Sequence, residues 1–209
     1  MRRMILVVWL CLAASSVYAE GGWIADKNTG CKVWNPHLVP DEAIVWSGEC
    51  KNGKASGRGV LKWYKKKKLS STLEGLMKAG QCYHNCLVTI KEGDKQLQYI
   101  GELENNIPGG HGTMIFSNGD KYIGDFKDGN FTGKGTYTWS GGDREDRKKY
   151  VGDFKDGVMS GHGTMIYVTG DKYSGSWLNK KRHGKGTYTF KDGTSYKGLW
   201  EHGERIKIF

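Results

Sequence analysis

YIGDFKDGNFTGKGTYTW, residues 122–139, decides the fold. Tyr122, Gly124 and Phe126 alternate with Ile123 and Asp125, and Gly133, Gly135, Tyr137 and Trp139 alternate with Lys134, Thr136 and Thr138. A period of two is the strand signal, because successive side chains point to opposite faces. The stretch therefore reads as a hairpin with one face of rings and glycines and one polar face. Glycine weakens a strand but lets another group approach closely. Here the glycines leave room into which rings of the same face can lean. At the turn, Gly129 follows Asp128, where positive φ suits glycine.

The same pattern recurs as YVGDFKDGVMSGHGTMIY from Tyr150, YSGSWLNKKRHGKGTYTF from Tyr173 and YKGLW from Tyr196, with these starts 23 residues apart. A fixed period in that range marks a repeat architecture. Earlier copies start at Tyr99, at Leu73 (with Gly75, Met77, Gly80, Val88 and Ile90) and at Trp46 (with Gly48, Gly53, Gly57, Gly59, Leu61 and Trp63). The excess residues Tyr64–Thr72, Lys91–Gln98 and Ser140–Lys149 all fall in the turn between consecutive repeats, which maps them to one edge. Within the repeats, Gly157 and Gly203 occupy the turn, but Asn106 and Lys180 replace glycine there; Lys180 predicts a different loop. The fold class expected is all-β, a single-layer antiparallel β-hairpin solenoid. The pattern Y-x-G-x-(F/W)-x-x-G-x-x-x-G-x-G-T-(Y/M)-x-(F/W/Y)-x-x-G, carried over residues 46–200, resembles the MORN family. That resemblance implies protein–protein or membrane-proximal scaffolding. MORN repeats also accompany plant phosphatidylinositol phosphate kinases, whose catalytic motifs this chain lacks.

The chain divides into a signal peptide (1–19), an N-terminal cap (20–45) and a repeat ribbon (46–209). Arg2 and Arg3, the apolar run Met4–Ala14 and Val17-Tyr18-Ala19 form the three regions of a secretory signal, with cleavage expected after Ala19. An apolar run of that length is too short for a spanning helix, which needs about 20 residues. Secretion or a periplasmic location follows, and the net charge of +10 loses Arg2 and Arg3. Cys31, Cys50, Cys82 and Cys86 remain, and an even count in an oxidising compartment favours disulfides. In the repeat frame Cys50 falls on the Phe126 column and Cys86 on the second glycine of G-x-G, three strand steps or ~14 Å apart. That exceeds disulfide reach, so the pairing favoured is Cys31–Cys50 and Cys82–Cys86, the latter through a curled loop. A four-cysteine zinc site is the rival, but the spacing fits no common finger. The cap docks through Trp23 and Trp34 and is stapled through Cys31. The stretch GCKVWNP…WSGECKNGKASGRG also resembles the front end of exported bacterial MORN-repeat proteins.

Catalytic signatures fail. GNFTGKG (129–135) is one residue short of a phosphate loop and has Gly135 where a magnesium-binding hydroxyl belongs. G-x-S-x-G, H-E-x-x-H and the kinase set are absent from the sequence. His111 and His162 lie two repeats apart, too far for one metal. No enzyme, cofactor or metal residue is assigned, and nucleic acid is excluded as a partner by export and by acidic residues in most repeats. Three binding readings stand. A protein-binding platform would use Tyr122, Phe126, Tyr137, Trp139, Tyr150, Phe154, Tyr173, Trp177 and Trp200, unless those rings form the only core. A binder of anionic lipid or envelope polymer would use Lys65, Lys66, Lys67 and Lys68 with the basic column Arg58, Lys134 and Lys185. A glycan binder would use exposed rings.

Overall fold

The computed structural model describes residues 21–38, 40–92, 95–141, 143 and 145–209. The expected signal peptide lies outside them. Every regular element described is a strand, and no helix occurs among the described residues. The chain forms two compact units: one runs to Ser117 and includes Lys127–Gly129, the other comprises Asn118–Phe126 and Asn130–Phe209.

The first unit contains β1 (Gly22–Ala25), β2 (Lys32–Asn35), β3 (Glu42–Trp46), β4 (Glu49–Lys51), β5 (Lys54–Lys65), β6 (Lys68–Lys78), β7 (Gln81–Glu92), β8 (Lys95–Glu104) and β9 (Ile107–Ile115). β5 to β9 pair antiparallel in sequence order, and β3 and β4 both pair with β5. β3 runs across position 45, where the sequence sets the end of the cap. The β1–β2 hairpin brings Trp23 and Trp34 edge to face at 5.6 Å. It is fastened along the turns of the repeats: the Lys32 amide donates to the Gly53 carbonyl (2.9 Å) and the Trp34 amide to that of Gly80 (3.0 Å). Asn106 Nδ2 donates to the Trp34 carbonyl at 2.7 Å. Asp26 is buried and accepts from the backbone amides of Trp46 and Asn28, each at 2.9 Å.

The second unit contains β10 (Lys121–Lys127), β11 (Asn130–Thr138), β12 (Arg147–Lys155), β13 (Val158–Tyr167), β14 (Lys172–Leu178), β15 (Lys181–Thr189), β16 (Ser195–Glu201) and β17 (Glu204–Ile208). From β11 onward each strand pairs antiparallel with the next. The register aligns Gly135, Gly152, Gly163, Gly175, Gly186 and Gly198 as successive Cα partners. The adjacent row is Tyr137, Tyr150, Met165, Tyr173, Tyr188 and Tyr196.

Two-residue turns set this register. Both central residues take positive φ in Asn52–Gly53, Ala79–Gly80, Asn105–Asn106, Asp128–Gly129, Asp156–Gly157, Asn179–Lys180 and His202–Gly203. That is the type I′ geometry, whose twist matches the flanking strands. Lys180 (φ 70°) therefore adopts the same turn as its glycine counterparts, against the different loop expected from its sequence. Backbone bonding holds it there: the amides of Gly157, Lys180 and Gly203 donate to the carbonyls of Phe131, Met159 and Arg182 in the preceding repeat at 2.9–3.0 Å.

Two of the three insertions also differ from the turns expected. Tyr64–Thr72 lengthens β5 and β6, with only Lys66–Lys67 left as the turn. Lys91–Gln98 lengthens β7 and β8 in the same way. The alternation of Leu61 and Trp63 against Leu73 and Ser71 carries the ladder outward. Ser140–Lys149 does leave a loop, since β11 stops at Thr138 and β12 starts at Arg147.

Candidate functional site

Each repeat tyrosine lies across glycines of its own hairpin. A Cβ on Gly135 would stand 2.5 Å from the Tyr122 ring, and one on Gly186 2.5 Å from Tyr173 Oη. The hydroxyl then donates to the carbonyl three residues on: Tyr122 to Asp125 (3.0 Å), Tyr150 to Asp153 (3.1 Å) and Tyr173 to Ser176 (3.1 Å). Rings from the same and the next repeat close in edge to face. Tyr122 contacts Phe126 at 5.2 Å and Phe154 at 5.0 Å, and Tyr150 contacts Phe154 and Trp177 at 5.2 and 5.4 Å. Tyr173 meets Trp177 and Trp200 at 5.3 and 4.9 Å.

The nine rings proposed as a binding platform are thus the core. Tyr122, Phe126, Tyr137, Trp139, Tyr150, Phe154, Tyr173, Trp177 and Trp200 are each no more than 5 % exposed. A protein partner or a sugar cannot reach them, because the glycine row lets them lie flat and interlock. Burial pushes the hydroxyl pKa of Tyr122 and Tyr150 well above the usual range, and that of Tyr173 up to about 12.

Lys65, Lys66, Lys67 and Lys68 are exposed at the tip of the β5–β6 hairpin. Arg58 is seven residues back along β5, or ~23 Å at strand rise. The lysine run and Arg58 therefore do not form one patch. Within the column, Arg58, Lys134 and Lys185 are exposed, but Lys134 is ion-paired with Asp153 at 2.5 Å. Lys134, aided by the His162 amide, holds the Asp153 carboxyl below its ordinary value.

The cysteines are joined as Cys31–Cys50 (Cα–Cα 5.7 Å) and Cys82–Cys86 (6.3 Å). The second pair needs no curled loop. Both residues stay in β7, where the pairing with β6 is irregular beside Leu76. Among the described residues no group of three or more potential ligands gathers for a metal.

The sequence reading missed two sets of residues. One is the column Phe131 and Met159, both buried; Phe131 stacks on Tyr122 at 3.8 Å. The other is a pair of aspartates. Asp120 accepts from Tyr137 Oη (3.0 Å) and the Ser140 amide (2.9 Å), and Asp171 accepts from Tyr188 Oη (2.8 Å) and the Lys191 amide (3.0 Å). Their signal was visible as G-D-K-Y, with Asp two residues before the repeat tyrosine at 122 and 173.

The MORN repeat profile matches residues 46–66, 99–121, 122–144, 150–172 and 173–195, more than half of the chain. The chain belongs to the MORN-repeat family. MORN repeats are protein- or lipid-interaction modules and typically a non-enzymatic scaffold. The matched segments omit the repeat at Leu73. There the structure replaces the tyrosine with Leu73 and the facing glycine with Cys86, yet keeps the strand pairing. No curated protein matched the chain.

Proposed function

We propose that this MORN-repeat chain is an exported, non-enzymatic scaffold that holds a protein partner on its surface. The supporting observation is that its buried polar side chains bond within the fold, with His183 Nδ1 the exception among the described residues. Tyrosine hydroxyls go to backbone carbonyls, and Asp26, Asp120 and Asp171 go to backbone amides or phenols of neighbouring segments. What varies from repeat to repeat is the surface, which carries exposed apolar side chains such as Ile100, Val151 and Phe190. Export is supported by the N-terminal sequence pattern and by the two disulfides, since such bonds persist in oxidising compartments.

The test is a photo-crosslinking residue placed singly at Ile100, Val151, Lys66 or Phe190 in the chain as its own cell makes it. A protein adduct at one of these positions is the expected result. Absence of protein adducts at all four overturns the reading. Export is checked by the mature N-terminus, which should be Glu20.

A second reading has one observation behind it. Four consecutive exposed lysines at a hairpin tip present concentrated positive charge to anionic lipid or envelope polymer, each worth about 1 kcal/mol at a charged membrane. Lipid adducts confined to position 66 would favour it.

A further inference from the structure

The core column that runs through Phe131 and Met159 becomes cationic in the next two repeats. Arg182 and Arg205 face Trp177 and Trp200 in the register, as Met159 faces Phe154. Arg205 lies over the Tyr196 ring at 4.7 Å, and Arg182 is 5.8 Å from Tyr173 and 6.0 Å from Tyr188. Arg182 also donates to the Gly203 carbonyl at 2.8 Å. No carboxylate of the described residues is ion-paired with either guanidinium. Around them the rings are no longer sealed. Tyr188 stacks on Tyr196 at 5.6 Å, Tyr167 leans on Tyr188 at 6.2 Å, and Phe190 is 42 % exposed.

We propose that the ring-bearing face of the repeats starting at Tyr173 and Tyr196 is a docking site for an extended acidic peptide segment of a partner protein. Two carboxylates meet Arg182 and Arg205, and an apolar or aromatic side chain between them rests on Tyr188, Tyr196 and Phe190. Arginine beside exposed aromatic rings is the composition that dominates binding hot spots. Charge selects the occupant. A second copy of a chain with net charge +10 meets like charge, whereas an acidic segment supplies the missing anions. Geometry sets its spacing. The two arginines sit one hairpin apart, two strand steps or ~10 Å, which three residues of a polyproline II chain span with both acidic side chains on one face. The segment is therefore acidic-x-x-acidic. This rests on the protein-scaffold reading and gives it a place.

The experiment uses the full chain and a fluorescein-labelled dodecapeptide of Ser and Gly carrying Glu at positions 5 and 8 with Phe at 6. Anisotropy should show saturable binding that weakens with salt. The peptide with Gln at both positions, and the peptide with the two Glu adjacent, should bind about two- to fivefold more weakly, the worth of one exposed ion pair. Arg205→Gln, an exposed change that leaves circular dichroism intact, should lose about fivefold. Lys66→Gln should lose nothing. Equal binding of the Gln peptide, unchanged affinity of R205Q, or no binding of the Glu peptide overturns the site. So does R205Q-sensitive binding of phosphatidylglycerol vesicles in place of the peptide, which would make the face a lipid site. Protein adducts at Ile100 or Val151 alongside a failed peptide assay would sink this site and leave the scaffold reading standing.

Discussion

At the scale of single residues, the fold depends on what is missing from glycine. A side chain at 135 enters the space of Tyr122, whose ring is held by Phe131 stacked on one face and by Phe126 and Phe154 at its edges. Overpacking of that kind costs about 1–3 kcal/mol. Gly135→Val should therefore lower the melting temperature by several degrees, as scanning calorimetry would show. Gly141 has nothing within 4 Å of an added Cβ, so Gly141→Ala should melt like the parent. The glycine row and the rings that cover it were legible in the sequence, because their alternation is a property of each strand alone. Asp120 and Asp171 were harder to read. Their partners, Tyr137 and Tyr188, are 17 residues away, and only the register brings them together.

At the scale of one repeat, two substitutions test how far the hairpin tolerates departures. Lys180 sits at φ 70° in a turn that glycine fills at 157 and 203. A β-branched residue is worse still in the left-handed region, so Lys180→Val should destabilise by about 1–3 kcal/mol. Lys180→Gly should be neutral or slightly stabilising, since the conformational relief is offset by unfolded-chain entropy. Denaturant titration distinguishes the two. The repeat at Leu73 departs differently. Tyrosine and its glycine have both gone, and the Cys82–Cys86 disulfide lies where the other repeats have the core column and the glycine row. Reverting only the cysteines (Cys82→Ala with Cys86→Gly) should leave a void and cost stability. Adding Leu73→Tyr should recover most of it by laying a ring over the new glycine. If the triple variant is no more stable than the double, the disulfide does not stand in for the ring. The sequence placed these cysteines in the repeat frame correctly. It did not show that β7 could bring them together without a loop, because strand irregularity depends on the partner strand as well.

For the molecule as a whole, stability is bounded on both sides by pH. Burial raises the pKa of Asp26, but hydrogen bonds from Trp46, Asn28 and Thr29 outweigh it, and the net value lies below the ordinary 3.8. At Asp143 burial is likewise outweighed by Arg147, and at Asp153 the bond from Lys134 dominates. With folded values below unfolded ones, these groups stabilise the protein above about pH 4 and cease to as the pH falls through their folded values. The phenols act in the opposite direction. Burial raises Tyr122, Tyr137, Tyr150 and Tyr188 above the ordinary 10.0, with Asp120 adding to the effect at Tyr137 and Asp171 at Tyr188. Their contribution is complete below pH 10 and declines as pH rises beyond it. Expected is a flat stability plateau at neutral pH with a cooperative alkaline transition. Tyrosinate absorbance should appear together with the loss of β-sheet ellipticity. Smooth ionisation ahead of any structural change would show the rings to be more accessible than their packing indicates. At this scale the sequence revealed a repeat and its period. The division into two units was not legible, because the tyrosine pattern passes through residue 118 without interruption.

The turn-to-turn bonds have a mechanical meaning. Adjacent antiparallel strands pulled sideways lose their hydrogen bonds singly, in succession, so such a sheet resists little until something spans more than two strands. The amides of Gly157, Lys180 and Gly203 do that, each reaching from its own turn to a carbonyl on the preceding hairpin. Under load from Phe209, a strand cannot leave without also breaking the tether at its turn. The second unit should therefore yield in bites of a hairpin. The opposite edge, where Ser140–Lys149 is inserted, shares that load at one place, where the Val168 amide donates to the Asp146 carbonyl at 2.7 Å.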